Sequence, residues 1–516
     1  MSAVAPPGTV TIDGGPLSPE DVVAVARHDA EVRIAPQAIE SMRRARGLVE
    51  SHLDDERPVY GLTTGFGALA DVRISPEDLD RLQRNLIRSH SAGAGELLDA
   101  EVVRAMMLLR GRTLSAGYSG VRPEVAGALV DLLNHRITPA VPSRGSVGAS
   151  GDLAQLAHVA LCLMGEGRVL SAGGTTGTAE ALRTAGLEPL RLEAKEGLAM
   201  VNGTEGMAAL GTLAHHDASL LLRTADVGAA MTVEGALGTD RPFAEDLHRL
   251  RPHPGQVASA ANLRALLHGS TIIASHRDSE HAVQDPYSMR CAPQVHGAAR
   301  DAHAWAGDVL ERERGSVVDN PVILPDGRVE STGNFHGEPL AYALDLLAIG
   351  LAGLANIAER RTYWLLGPGQ GRGLPPFLSP EAGLGSGYML AQYTQASLVS
   401  ECKLLASPAG LDSIPTSGTQ EDHVSMGWLA GLKARQVVER VRTVVAIEVL
   451  CAAQALDLRR PLEPAGGTGA AVTALRERIP FLQQDRDLSE DIRRAEELVR
   501  GGAPVLAAEA AVGSLR

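Results

Sequence analysis

Aromatic side chains are scarce in this sequence: 5 Phe, 7 Tyr and 3 Trp among 516 residues. The core must therefore be filled by Leu, Ala, Val and Ile, small side chains that suit close-packed helices better than a β-sandwich rich in aromatic residues. Cysteine is scarcer still. Cys162, Cys291, Cys402 and Cys451 lie far apart with no CxxC pair, which argues against a disulfide framework or zinc ribbon and for buried free thiols. Positive charge is in deficit, 48 Lys+Arg against 62 Asp+Glu, so a nucleic-acid or anionic-membrane partner is not expected. Long apolar runs are missing too: Leu346 to Ala355 is about half a membrane span and ends at charges. The N-terminal MSAVAPPGTVTIDGG carries neither a basic segment nor an apolar one, and a cytoplasmic, soluble protein is expected.

With 44% hydrophobic and 21% charged residues, the chain lies in the globular class. Its length allows roughly three domain-sized units and ample core. Helical periodicity predicts helices over Pro36 to His52, from Ser75-Pro76-Glu77-Asp78 through Leu79, Leu82 and Leu86 to His90, and over Glu101 to Leu109. Leu153 to Met164 is nearly continuously apolar and predicts a buried helix. Further helices are predicted over Ala341 to Arg361, Tyr388 to Leu405 and Leu432 to Leu458. The expected division is an N-terminal domain over 1–200, a central long-helix bundle over 201–460 and a small helical appendage over 461–516. The fold class is mainly α, a large helical bundle with a smaller N-terminal domain.

Familiar motifs are absent: no P-loop, no GxSxG elbow and no HExxH pair. Gly367 to Gly373 has the wrong spacing for a dinucleotide loop and follows a helix, so a flexible loop is expected. His215-His216-Asp217 offers metal-ligand types, but adjacent residues on a helix point in different directions and a solvated face is the better reading. No metal site is predicted.

One stretch stands apart. Gly145-Ser146-Val147-Gly148-Ala149-Ser150-Gly151-Asp152 runs straight into the Leu153 helix. Its glycines let the backbone fold back tightly, and the helix points its partial positive end at the loop. Such a bend could bring the Gly151 amide nitrogen onto the Ala149 carbonyl carbon, closing a five-membered ring. Loss of water from that ring and from Ser150 would leave an exocyclic methylene, an electrophile made from the chain itself.

The sequence resembles the aromatic amino acid ammonia-lyases and aminomutases that carry the methylidene-imidazolone (MIO) cofactor, formed from Ala-Ser-Gly. The resemblance spans about residues 20 to 460 in five separated motifs: Tyr60 to Gly67, Gly145 to His158, Asn202-Gly203-Thr204, Gln284 to Gln294 and Gly333 to Gly337. It implies an aspartase/fumarase-like helical fold, elongated, with the MIO loop on the smaller N-terminal domain. It also implies a homotetramer with active sites assembled from more than one subunit, and no external cofactor. Removing ammonia from an amino acid needs an electrophile for the amine and a base for the weakly acidic β-hydrogen. The resemblance assigns the electrophile to Ala149, Ser150 and Gly151 and the base to Tyr60. Tyr287 would assist proton handling or amine departure, Arg290 would pair with the substrate carboxylate, and Asn202 and Gln284 would hydrogen-bond substrate or cofactor. Phe335 would wall the cofactor ring.

Two places address the substrate side chain. Ser89-His90 and the run Gln420-Glu421-Asp422-His423 resemble the branch acting on histidine. A desolvated imidazole needs polar partners, and His90 and Glu421 are the candidates, with Gln420 beside them. The expected reaction is L-histidine to trans-urocanate plus ammonia. A lyase acting on phenylalanine or tyrosine is an alternative. So is a 2,3-aminomutase, which shares the chemistry up to amine capture. A helical scaffold without chemistry is disfavoured by the intact Ala149-Ser150-Gly151 beside Tyr60 and Arg290. Gln155, Glu205 and Thr419 depart from the family pattern. Gln155, in place of Pro, is expected to loosen the first turn of its helix.

Overall fold

The computed structural model describes residues 8–53, 64–65, 72, 74–279 and 281–516. Tyr60 and most of its motif lie outside the described residues. Helices dominate, as the scarcity of aromatic and β-branched runs predicts. Four two-stranded sheets of very short strands accompany them among the described residues.

The chain forms two compact units, and the division is not linear in sequence. The first takes Met1–Leu213, Gly307–Leu344 and Pro408–Leu432; the second takes Ala214–Ala306, Asp345–Ser407 and Lys433–Arg516.

In the first unit a parallel pair, Val10–Ile12 with Val32–Ile34, brackets the Pro19–His28 helix. That helix begins on a capping box: Ser18 Oγ accepts the Asp21 N–H at 3.0 Å and the Asp21 carboxylate accepts the Ser18 N–H at 3.0 Å. The Pro36–Leu53 helix matches the predicted one. Ala100–Ser115 is longer than expected and buried from Val102 onward, arginines included. Arg104, Arg110 and Arg112 each donate to carbonyls inside the protein, which a sequence pattern cannot show. Pro76–Asp78 forms a single 3-10 turn, and the α-helix starts at Leu79 and runs to His90. The predicted buried helix spans Leu153–Leu163. Gln155 in its first turn is buried, and its Nε2 donates to the Pro142 carbonyl at 3.3 Å, so it ties the turn down rather than loosening it.

In the second unit buried charges join the helices. Arg361 reaches Glu448 through Nε and, at 3.0 Å, through Nη2. Asp226 receives His296 Nδ1 at 2.7 Å, Ser259 Oγ at 2.7 Å and Arg300 Nη2 at 2.6 Å. The helices Gly466–Arg476, Leu488–Arg500 and Ala503–Val512 make up the predicted C-terminal helical segment. Two expectations change here. The Gly367 to Gly373 loop is braced, since Arg459 donates to the carbonyls of Gly371 and Arg372 while Arg372 pairs with Asp285 at 3.0 Å. His215 is half-buried rather than on a solvated face: its ring stacks on His303 at 3.7 Å, and each ring nitrogen meets the other's carbonyl.

The Leu346 to Ala355 run sits within a 29-residue helix, Glu338–Leu366, that has the length and apolar composition of a membrane span. Two-thirds of its most apolar window is buried within the protein (67%), the pattern of a core helix.

Candidate active site

The site is built on the bend that precedes the Leu153–Leu163 helix. The strand Pro142–Arg144 pairs antiparallel with Ala94–Leu97 and leads into it. Gly145, Gly148 and Gly151 have φ of +137°, +68° and +76°, conformations that only glycine adopts without strain. At Gly151 there is no room for any side chain, because a Cβ would overlap the Gly203 carbonyl. Gly151 and Gly203 form a parallel bridge, and the Asp152 N–H donates to Gly203 O at 2.7 Å. Ser146 Oγ lies 3.2 Å from the Gly151 carbonyl and 3.1 Å from the Asp152 carboxylate. Distant segments close over the other side. Ser425 Oγ donates to the Gly148 carbonyl at 3.0 Å, the Met426 N–H to Val147 O at 2.9 Å and Trp428 Nε1 to Ser143 O at 2.8 Å. The bend thus lies between a backbone wall and a hydrogen-bonded lid.

Ala149 and Ser150 open onto a cavity of about 350 Å³. Phe335, Gln420 and Glu421 line it with them, so five of the residues singled out in the sequence converge. Glu421 is held from behind: Thr416 Oγ1 donates to its carboxylate at 2.7 Å, and the two residues pair through their backbones. The turn that delivers Gln420 and Glu421 has positive φ at Ser417, Gly418 and Thr419, +50°, +60° and +72°. A β-branched residue in that region is strained, and such strain collects at functional turns. Burial holds the His90 imidazole below its ordinary pKa, while the Leu86 carbonyl and the Glu421 carboxylate draw it back up. The Glu421 carboxylate is thus near enough to act on His90, which does not itself line the Ser150 cavity.

Asn202 is buried and spends its Nδ2 on the Asn320 carbonyl at 2.8 Å, supporting a cavity residue from behind. Gln284, Tyr287 and Arg290 belong to the second unit and do not line the Ser150 cavity. Arg290 stacks over the Tyr287 ring, 4.7 Å from its centroid, and faces a hollow of about 480 Å³ with Arg241, Arg251 and Gln294. Its Nε is buried without a partner, as is Gln294 Oε1. Gln284 lines a separate, smaller hollow.

Beneath the bend lies a buried charged cluster. Burial pushes the Asp152 carboxyl up to about 7, against the pull of the Met207 N–H and the Ser146 hydroxyl. Glu313, hydrogen-bonded by Thr204 Oγ1, is likewise raised to about 7 by burial and further by Glu205. Arg110 pairs with Glu205 at 2.6 Å and Lys195 with Asp319 at 2.9 Å, all four side chains buried.

Residues 17–477 match the sequence model of the aromatic amino acid lyase family. A histidine ammonia-lyase of Anaeromyxobacter sp. (strain K) is 54% identical, covering 96% of this chain and 99% of its own. This chain belongs to the aromatic amino acid lyase family. Among solved structures, histidine ammonia-lyase from Trypanosoma cruzi superimposes with a TM-score of 0.91 at 41% identity, over 98% of this chain and 96% of the other. Tyrosine aminomutase from Streptomyces globisporus gives 0.93 at 37% identity, over 98% and 100%.

Several cavity residues of this aromatic amino acid lyase escape a sequence reading. Asp422, His423 and His336 are direct neighbours of the residues singled out, inside the same motifs, so only their direction was hidden. Asn320, Ser331 and Thr332 come from the two ends of the Val322–Ile323 and Val329–Glu330 hairpin; the turn-forming Asp319-Asn320-Pro321 was their one local signal. His336, Glu338 and His423 place donor atoms within 4.8 Å of one another. The His336 nitrogens are already engaged, one accepting the Glu338 N–H at 3.4 Å and the other facing the His423 carbonyl at 3.2 Å.

Proposed function

We propose that this lyase converts L-histidine to trans-urocanate and ammonia. In this reading it works in the cytoplasm as a homotetramer, with a methylidene-imidazolone made from Ala149, Ser150 and Gly151. The observation that carries the reading is the opening of the glycine-framed bend at Ser150 onto a cavity that also holds Glu421. The histidine ammonia-lyases that this chain resembles over nearly its full length support it. The cyclised tripeptide supplies an electrophilic methylene that takes up the substrate amine.

The chain's own side chains do the rest. Glu421, braced by Thr416 and facing His90, offers an acceptor to an imidazole N–H that an apolar pocket would leave unpaired. Phe335 gives the flat ring an apolar wall. The fork of Arg290 fits a carboxylate through two parallel hydrogen bonds, and its unpartnered Nε is consistent with a ligand-facing role. In this reading Arg290, Tyr287 and Gln284 reach the cavity from a neighbouring subunit, and Tyr60 removes the β-hydrogen. A phenol with an ordinary pKa near 10 needs a positive environment for that work. In this reading the N-terminal end of the Leu153–Leu163 helix would supply part of it.

The test is an amino acid panel with product identification. Histidine is expected to release ammonia and a conjugated product, and phenylalanine to react far more slowly. Equal turnover of the two would remove the histidine assignment, and a β-amino acid product would make the protein an aminomutase.

A further inference from the structure

Glu205 departs from the family pattern, and the chemistry described so far gives it no task. It lies at the start of the Glu205–Gly235 helix, fully inside the protein. Its Oε1 receives Arg110 Nη1 at 2.6 Å, and its Oε2 is buried with no hydrogen-bond partner. The same guanidinium donates to the Asn202 carbonyl at 3.2 Å through Nη1 and to the Ala199 carbonyl through Nη2. Arg110 thereby collects the carbonyls that the short Glu196–Val201 helix leaves unpaired at its C-terminal end.

Gly203 is packed between this pair and the bend. On one side a Cβ at 203 would overlap Glu205 Oε2 and press on Arg110 Nη1. On the other, the Gly203 carbonyl fills the space where a Gly151 side chain would be and accepts the Asp152 N–H. The ion pair is a buttress, and what it supports is the backbone wall against which Gly151 is folded.

We propose that Arg110 and Glu205 are positioning residues for ring closure, holding Gly203 against Gly151 so that the Gly151 nitrogen can approach the Ala149 carbonyl carbon. The inference rests on the reading that this tripeptide cyclises. Closure forms the bond between the Gly151 nitrogen and the Ala149 carbon. The Ala149 oxygen leaves as water with the two amide hydrogens of Ser150 and Gly151. A second water takes the Ser150 hydroxyl and the Ser150 Cα hydrogen, so nothing is oxidised or reduced and no co-reactant is needed. Neither Arg110 nor Glu205 exchanges a proton in these steps. They set geometry, and a displacement of about 1 Å from a near-attack arrangement is enough to slow a reaction on the order of a hundredfold.

The readout is the intact mass of freshly folded protein followed over time, which counts the waters lost independently of turnover. Wild type is expected to lose both waters. Glu205→Gln keeps an acceptor for Arg110 and is expected to cyclise like wild type. Glu205→Ala and Arg110→Met are expected to retain both waters about a hundredfold longer. Removing one partner of a buried pair also threatens folding, so the double variant Arg110→Met/Glu205→Leu, which replaces both charges with apolar side chains, serves as a control. It is expected to melt cooperatively and still cyclise slowly. Cyclisation of the folded single and double variants at the wild-type rate would overturn the inference and leave the proposed function standing. A wild-type chain that keeps both waters would remove the cyclisation reading, and this inference with it.

Discussion

In the proposed function Glu421 is the side chain that reads the substrate, since it lines the Ser150 cavity. Its carboxylate is fixed by Thr416, so an imidazole bound as proposed would meet an acceptor already in place. Glu421→Gln is expected to lower kcat/KM for histidine about 10- to 100-fold, the range of one charge-assisted hydrogen bond, with much less effect on phenylalanine. An equal loss for both substrates would mean that Glu421 does not read the side chain. Glu313 gives a second residue-level expectation, one of stability. Burial raises its folded-state pKa from 4.5 to about 7, so the folded protein holds a proton that the unfolded chain releases. Between those two values stability must fall as pH rises; above about 7 the penalty is complete, and below 4.5 it vanishes. Glu313→Gln removes the titration. Relative to wild type, this variant should gain on the order of 3 kcal/mol on going from pH 4.5 to pH 8, seen as a difference in Tm between the two pH values. A constant difference across that range would show that Glu313 does not carry the shift.

At the level of the element, the long helices and their approximate ends were legible because apolar residues recur every third or fourth position over many turns. Pro36–Leu53 and Leu79–His90 are examples, while Leu153–Leu163 was legible from its nearly continuous apolar run. The paired strands were not legible. Val322–Ile323 and Val329–Glu330 have two residues each, too few for an alternation to show. Buried charges were hidden for a different reason, since an Arg in a helical pattern looks the same whether it meets water or a carboxylate. Arg361 and Glu448 are such a case, two fully buried partners on different helices. Arg361→Met leaves Glu448 without its cation and is expected to cost about 3–5 kcal/mol in urea unfolding. A loss below about 1 kcal/mol, the size of an exposed pair, would contradict the burial. In the site the motif residues of the first unit were legible as a group, Ser150 with Phe335, Gln420 and Glu421. The surrounding Asn320, Ser331 and Thr332 were not, because tertiary folding alone brings that hairpin to the cavity.

For the whole molecule, the second unit leaves apolar side chains exposed on two of its long helices. Leu346, Ile349 and Tyr363 fall on one face of the Glu338–Leu366 helix, and Leu390, Tyr393 and Leu404 on one face of the Met389–Leu405 helix, each 37–73% exposed. In the proposed homotetramer a second copy of the chain would cover them. Light scattering is expected to give the mass of four chains, and the double variant Leu346→Glu/Leu390→Glu a smaller species with lost activity. A monomeric, fully active wild type would contradict both the assembly and the supply of Arg290 from a neighbour.

The order in which the bend is braced has a consequence for biosynthesis. Its tripeptide emerges early from the ribosome, but the groups that clamp it, from Gly337 and then Ser425, Met426 and Trp428, emerge much later. A nascent chain short of Trp428 lacks these braces. If the tripeptide cyclises as proposed, the electrophile is expected only in a copy whose pocket is already enclosed, which would spare the unfinished polypeptide from cross-linking to cellular thiols and amines.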